Sequence, residues 1–351
     1  MRRWAAPAEL TRRDLRCYLR SMNAPQSHPA SARVSMKNRT RLLLFVLLAV
    51  PTLLAAFYFL LPGVVLTLAQ RAELRGAGLE QHGIDAAGLH IEYLSGGRGD
   101  AIVLLHGFSA DKSNWVRVAK YLTPHLRVIA PDLPGFGDST RDPNARYAIS
   151  DEVERVHAFA QALRLDSFHL GGNSMGGTIA GAYAARYPHE VKTLWLLAPG
   201  GVRSAEPSEL QELMARGENP LFIRDADGFE RLLDFVFVER PYIPRPIARY
   251  LAEQGVRNRP FNEKISADLN GDPLALEATV KGLSVPALIV WGARDRLVHV
   301  SGARILGSVM PDAKVVVMPN VGHIPMVEKP AETAAELLRF LGIAAGTARG
   351  A

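Results

Sequence analysis

Residues 168–187 read Phe168-His169-Leu170-Gly171-Gly172-Asn173-Ser174-Met175-Gly176-Gly177-Thr178-Ile179-Ala180-Gly181-Ala182-Tyr183-Ala184-Ala185-Arg186-Tyr187. An apolar strand runs into a glycine-flanked serine, and a small-residue helix runs out of it. A Gly-x-Ser-x-Gly pentad alone says little, because both residue types are common. Its setting between a strand and a helix makes it specific for a nucleophile elbow. Such a turn lifts the serine hydroxyl above the C-terminal edge of a sheet and aims the N-terminus of the next helix at the same spot. The flanking glycines avoid clashes that a Cβ would create. The competing reading is a glycine-rich helix start with a capping serine.

Outward from this stretch, short apolar runs alternate with amphipathic segments. Leu89–Leu94 alternates, a turn follows at Gly96-Gly97-Arg98-Gly99, and Ala101–His106 is continuously apolar. That pair predicts an antiparallel hairpin feeding a buried strand. Further strands are predicted at 127–130, 168–172, 194–198, 287–291 and 314–317. Helices are predicted at 115–122, 151–163, 175–186, 301–308 and 331–341. Alternation of this kind means a mostly parallel sheet with helices on both faces. It breaks between Gly200 and Leu283, a stretch with seven prolines and short helical patches such as Phe229–Val238. Too long for one loop, it reads as a helical cap inserted into a core of residues 79–199 and 284–343.

A serine nucleophile needs a base, and the base needs an orienting carboxylate. Asp295, in Ala287-Leu-Ile-Val-Trp-Gly-Ala-Arg-Asp295, lies just past an apolar strand. His323, in Lys314-Val-Val-Val-Met-Pro-Asn-Val-Gly-His323, lies past the next. The ends of parallel strands converge on one face, so the order Ser174, Asp295, His323 can meet there. Asp295 also fits a helix cap, and His323 an ordinary loop histidine. His125, His157, His169, His189 and His299 read as surface or helix-end residues, and no spacing among the ten histidines suggests a metal site. The loop His106-Gly107-Phe108 leaves an early strand, so the backbone N–H groups of Phe108 and Met175 are the expected oxyanion hole. His106 reads as structural, its ring bonded to loop backbone.

The set His106-Gly-Phe, Asp132-Leu-Pro-Gly-Phe-Gly-Asp-Ser139, Gly172-Asn-Ser-Met-Gly-Gly, Trp291-Gly-Ala-Arg-Asp-Arg-Leu-Val and Gly322-His-Ile-Pro-Met-Val-Glu-Lys-Pro resembles the α/β-hydrolase superfamily over roughly 79–343. The resemblance implies an eight-stranded, mostly parallel sheet, an inserted helical lid, and Ser174, Asp295 and His323 as the triad. The apolar N-terminus, Asn219-Pro-Leu-Phe222 and Leu232-Leu-Asp-Phe-Val-Phe-Val-Glu-Arg-Pro-Tyr-Ile-Pro resemble the branch of membrane-anchored monoacylglycerol lipases and bacterial lipases. A serine carboxylesterase or lipase acting through an acyl-enzyme is therefore expected, on mono- or other acylglycerols, with no metal or organic cofactor. Phe222, Ile223, Leu232, Phe235, Val236, Phe237 and Ile243 are candidates for an acyl pocket, or equally for ordinary cap packing. Two other functions stay open. One is carbon–carbon bond hydrolysis of ring-cleavage products, which the elbow and Ala198-Pro-Gly-Gly201 also resemble. The other is a non-catalytic tethered binding module. Acyl transfer to an alcohol is a further possibility.

Of the 351 residues 48% are hydrophobic and 22% charged, which excludes global disorder. Cys17 is the only cysteine, so no intrachain disulfide can form. The formal charge of +6 is concentrated before Leu42: ten of the 41 basic and two of the 35 acidic residues lie there, leaving 31 basic and 33 acidic in the remainder. A basic tail (1–41) beside a neutral body argues against nucleic-acid binding by the body. Leu42–Leu61 is apolar, and no charge follows until Arg71. Twenty residues span roughly 30 Å as a helix, enough to cross a bilayer. Lys37, Arg39 and Arg41 precede it, which predicts a cytoplasmic N-terminus and an exported catalytic domain at a bacterial inner membrane. A cleaved signal peptide is the rival, though no clear Ala-x-Ala site closes the run. Translation is expected to begin at Met36.

Overall fold

The apolar runs become strands that are covered on both faces. In the computed structural model, which describes residues 36–343 except 272, Ile102 and Leu104 pack to one side of the sheet and Val103 and Leu105 to the other, all fully buried. A strand with two covered faces has no polar alternation to show. The eight strands are β1 (Leu79–Ala86), β2 (Leu89–Gly96), β3 (Ala101–Leu105), β4 (Arg127–Pro131), β5 (Phe168–Asn173), β6 (Val191–Leu197), β7 (Ala287–Gly292) and β8 (Ala313–Met318). Their order is β1-β2-β4-β3-β5-β6-β7-β8. Only β2 runs against its neighbours, and every pair from β4 to β8 is parallel.

The hairpin expected between Leu89–Leu94 and Ala101–His106 does not form. β2 pairs instead with β1, through a turn at Ala87-Gly88, and with β4. Most of β1 is exposed, so its sequence, Leu-Glu-Gln-His-Gly-Ile-Asp-Ala, lacks the apolar run that marks the other strands. The chain order folds β3 between β4 and β5, and the crossovers on either side leave the sheet in opposite directions at its carboxyl end. That is where a crevice for ligands opens in such sheets.

Helices α3 (Val116–Leu122) and α12 (Pro330–Phe340) cover one face, around Trp115 and Trp195. The other is covered by α4 (Ile149–Ala162), α5 (Met175–Arg186) and α10 (Ser301–Val309), around Phe159, Tyr183 and Trp291. Between β6 and β7 lie α6 (Glu209–Ala215), α7 (Ala226–Val236), α8 (Arg245–Gly271) and α9 (Leu276–Thr279), and a single turn, α11 (Pro325–Glu328), follows β8. The prolines of this insertion suggest short patches, yet α8 runs for 27 residues through Pro260. Pro246 falls in the first turn, where its missing N–H has no helical partner to lose. Pro260 does forfeit a bond, but the next turns are held by Phe261 and Ile265, which pack against the core.

At the N-terminal side, α1 (Met36–Leu60) carries the apolar run and α2 (Pro62–Gly76) follows it. The chain divides into two compact units between Phe57 and Tyr58. Leu43–Leu60 has a mean hydropathy of 2.5 and none of it is buried, so this helix is long and apolar enough to cross a membrane. Within the second unit, Leu74 of α2 packs against the core around Trp115. The basic tail through residue 35 and Cys17 lie outside the described residues.

Candidate active site

Ser174 sits between β5 and α5 with φ 54° and ψ −119°, a backbone conformation that residues with a side chain rarely adopt. Such strain, of order 1–3 kcal/mol, persists only where the surroundings fix it. Here they do. A Cβ on Gly172 would lie 2.1 Å from the Gly176 carbonyl oxygen, and one on Gly176 2.2 Å from that of Leu105. The turn is therefore pressed against itself and against the end of β3, and only glycine fits at both places.

Asp295 lies past β7 with its side chain fully buried. One oxygen accepts from the backbone N–H groups of Leu297 (2.9 Å) and Val298 (3.1 Å), and the other meets Nδ1 of His323 at 2.8 Å. A carboxylate can only accept, so Nδ1 carries the proton and the lone pair of the imidazole is left on Nε2. That is the state a general base requires.

His323 reaches the elbow from a distant strand. Neighbouring strands are spaced about 4.8 Å, so β5 and β8, three spacings apart, are roughly 14 Å from each other. The loop after β8 folds back across the end of β7, where Ala293 N–H donates to Met318 O (2.9 Å) and Arg294 N–H to Val321 O (3.0 Å). The backbone oxygen of His323 then accepts from Asn173 Nδ2 at 3.1 Å, and the same amide donates to Leu197 O at 3.0 Å. The residue before Ser174 thus tethers the loop that carries His323. The Ser174 hydroxyl and His323 Nε2 share no hydrogen bond, as is common before substrate tightens such a site.

The loop after β3 lies against the elbow: a Cβ on Gly107 would be 3.3 Å from that of Ser174. Among the described residues, neither the Phe108 nor the Met175 N–H bonds to another protein group. Both stay available for an oxyanion, and Met175 also opens the positive end of α5. His106 is structural, as its sequence context indicates. Its Nδ1 meets Gly107 O at 2.8 Å, its Nε2 accepts from Leu133 N–H at 2.9 Å, and burial pushes its pKa down, so the ring is neutral.

The seven acyl-pocket candidates separate in space, Ile243 falling with Ile223, Val236 with Phe235, and Leu232 between the two clusters. The Phe222 ring meets that of Phe108 edge-on at 6.4 Å. Ile223 packs inside the insertion, with Phe229, Ala248 and Ala252. Phe235 lies under the Arg296 guanidinium, 4.6 Å from ring centroid to carbon, and Phe237 packs in the same cluster beside Leu297. A cavity of about 490 Å³ opens beside the oxyanion loop, with Leu74, Ser109, Phe136, Leu251 and Asn262 in its wall, but neither Ser174 nor His323 lines it. His169, expected at the surface, is buried at the start of β5, where Nδ1 pairs with Thr193 Oγ1 at 2.8 Å.

Other polar residues that hold the site are silent in sequence. Glu328 accepts from Gly322 N–H (2.8 Å), beside His323, and from Val238 (3.0 Å) and Glu239 (2.7 Å) in the insertion. Val236 O accepts from His323 N–H at 2.9 Å. Lys112, held protonated against burial by Asp132 and Asp138, ties the far end of the oxyanion loop to the segment after β4. Such bonds link loops far apart in sequence, and no local pattern announces them.

The fold thus brings a strained serine at a strand–helix turn, an acid after β7 and a histidine after β8 to one end of the sheet. Residues 100–330 match the family described as alpha/beta hydrolase fold. The chain belongs to that family. Among its relatives in the family, Lipase 1 of Psychrobacter immobilis is 36% identical over 262 residues, 74% of this chain and 82% of the lipase. Monoacylglycerol lipase ABHD6 of Homo sapiens is 32% identical over 256 residues, 70% of this chain and 76% of its own. The crystal structure described as a membrane phospholipase A, a novel bacterial virulence factor, superimposes with a TM-score of 0.79 at 42% identity, covering 86% of this chain and 98% of that one. With lipases on both the sequence and the structure side, the chain is a carboxylic ester hydrolase.

Proposed function

We propose that this hydrolase cleaves acylglycerols at a membrane through an acyl-enzyme on Ser174. His323 Nε2 takes the serine proton, and Asp295 stabilises the imidazolium that forms. The N–H groups of Phe108 and Met175 receive the oxyanion. His323 returns the proton to the leaving alcohol, then activates the water that releases the fatty acid. The observation that carries this reading is the buried Asp295–His323 pair, 2.8 Å long, whose loop is tethered to the residue before Ser174.

Residues 200–283 form the cap in this reading, over a core of 79–199 and 284–343. Phe222, against Phe108, supports a place for acyl chains at the oxyanion loop. The substrate class draws on the lipase relatives and on the Leu43–Leu60 helix, which would hold the site beside its substrate. With Lys37, Arg39 and Arg41 before that helix, the N-terminus is cytoplasmic and the hydrolase lies outside a bacterial inner membrane.

The test is a substrate panel on detergent-solubilised full chain: monoacylglycerol, a glycerophospholipid, a short-chain soluble ester and a vinylogous dienoic acid. Release of fatty acid from the glycerides by wild type and none by Ser174→Ala is expected. Turnover of the dienoic acid alone would replace ester hydrolysis with carbon–carbon cleavage, and wild-type activity in Ser174→Ala would remove the serine from the mechanism.

A further inference from the structure

The tight turn Gly107-Phe108-Ser109-Ala110 is closed by Ala110 N–H donating to Gly107 O at 3.3 Å. At its third position Ser109 has φ +60°, the left-handed region that such a turn normally gives to glycine. A side chain at that φ is unfavourable, so the sequence keeps a hydroxyl where glycine would fit better. The hydroxyl has one partner from the cap: Asn262 Nδ2, on the turn of α8 after Pro260, donates to Ser109 Oγ at 2.8 Å. Asn262 is buried, and this is its hydrogen bond to the loop. The preceding residue is touched by the cap as well, through the Phe108–Phe222 ring contact. The far side of the loop is bound to the core instead, by Lys112 N–H donating to Asp132 at 2.7 Å.

We propose that Asn262 is a positioning residue that, through Ser109, lets the cap set the Phe108 N–H of the oxyanion hole. The inference rests on the serine-hydrolase reading above. With the bond made, the turn is held from both ends and the N–H is aimed before substrate arrives. With it broken, as when the cap lifts, the loop keeps only its core anchor, and the transition state loses a preorganised donor. Substrate binding is affected far less, because the bond acts on charge that develops only during reaction.

The variants Ser109→Gly, Asn262→Ala and their double, in the full chain in detergent, are assayed on a soluble short-chain ester, with thermal unfolding in parallel. Ser109→Gly decides the matter, because glycine relieves the turn while removing the hydroxyl. Its melting temperature should stay within a few degrees of wild type, the relieved φ offsetting the bond lost by Asn262, while kcat falls roughly tenfold or more, the scale of losing part of one oxyanion donor. KM should move less than twofold. Asn262→Ala should show the same split between kcat and KM, and the double variant should be no slower than the worse single one. Full kcat in Ser109→Gly, or losses that multiply in the double variant, would overturn the proposal while leaving the serine-hydrolase reading intact. A wild-type enzyme that neither turns over the ester nor is labelled at Ser174 by a fluorophosphonate would overturn both.

Discussion

Asn173→Ala isolates the tether between the Ser174 turn and the His323 loop. Both amide hydrogens of Asn173 are used, one on Leu197 O at 3.0 Å and one on His323 O at 3.1 Å, and the side chain is buried. Removing them affects the two acceptors differently. Leu197 O keeps the Ser174 N–H at 3.1 Å, so its loss is about one ordinary hydrogen bond, roughly 1 kcal/mol. His323 O is left without that donor in a buried site, at about 1–3 kcal/mol. The total is roughly 2–4 kcal/mol, which for a domain of this size lowers Tm by about 4–8 °C at some 2 °C per kcal/mol. The loop carrying the imidazole loses its tie to the Ser174 turn, keeping those to Val236 and Glu328. Misplacing a catalytic group by an ångström can cost on the order of 100-fold, so kcat on a soluble ester should fall about 10- to 100-fold with KM little changed. Thermal unfolding and steady-state kinetics on purified protein read both effects. A variant with wild-type Tm and wild-type kcat would refute the reasoning, since the tether would then hold nothing.

Asp295→Asn can present its amide nitrogen to His323 and invert the tautomer, so kcat at neutral pH should drop by roughly 10³- to 10⁴-fold with the fold retained; a loss under tenfold would mean another group orients the imidazole. Glu152 is buried beside Arg155, and burial raises its pKa to about 7 despite that partner. The folded chain therefore binds a proton between about pH 4.5 and 7 that the unfolded chain has released. Stability falls across that window as pH rises, by at most about 3 kcal/mol. Glu152→Gln should flatten the dependence of Tm on pH between 5 and 8, and an unchanged slope would assign it to other groups. A chain lacking residues 1–61 should be soluble without detergent and hydrolyse short-chain esters at the full-length rate; folded but inactive protein would place part of the catalytic body in the deleted segment.

The central strands and the elbow were legible in sequence because burial on both faces writes continuous apolar runs, and because the strained serine demands glycines on either side. β1 was not, since most of its side chains face solvent and nothing marks them as strand. Without β1 in view, the sequence pairs β2 with β3 rather than with β1 and β4. The length of α8 was hidden by Pro260, whose local signal to stop is outweighed by the packing of Phe261 and Ile265. Asp295 and His323 stand out as candidates because each follows a strand end, and the fold pairs them at 2.8 Å. Asn173, Asn262 and Glu328 act between segments 90 to 153 residues apart in the chain, and only the folded topology brings their partners within reach.

The most direct test is the rate of fluorophosphonate labelling, with the modified peptide mapped by mass spectrometry. Wild-type protein should be labelled at Ser174 alone, and His323→Ala should be labelled at least 100-fold more slowly while unfolding at a similar temperature. Equal rates in the two proteins, or modification at a different serine, would contradict the claim that His323 activates the Ser174 hydroxyl.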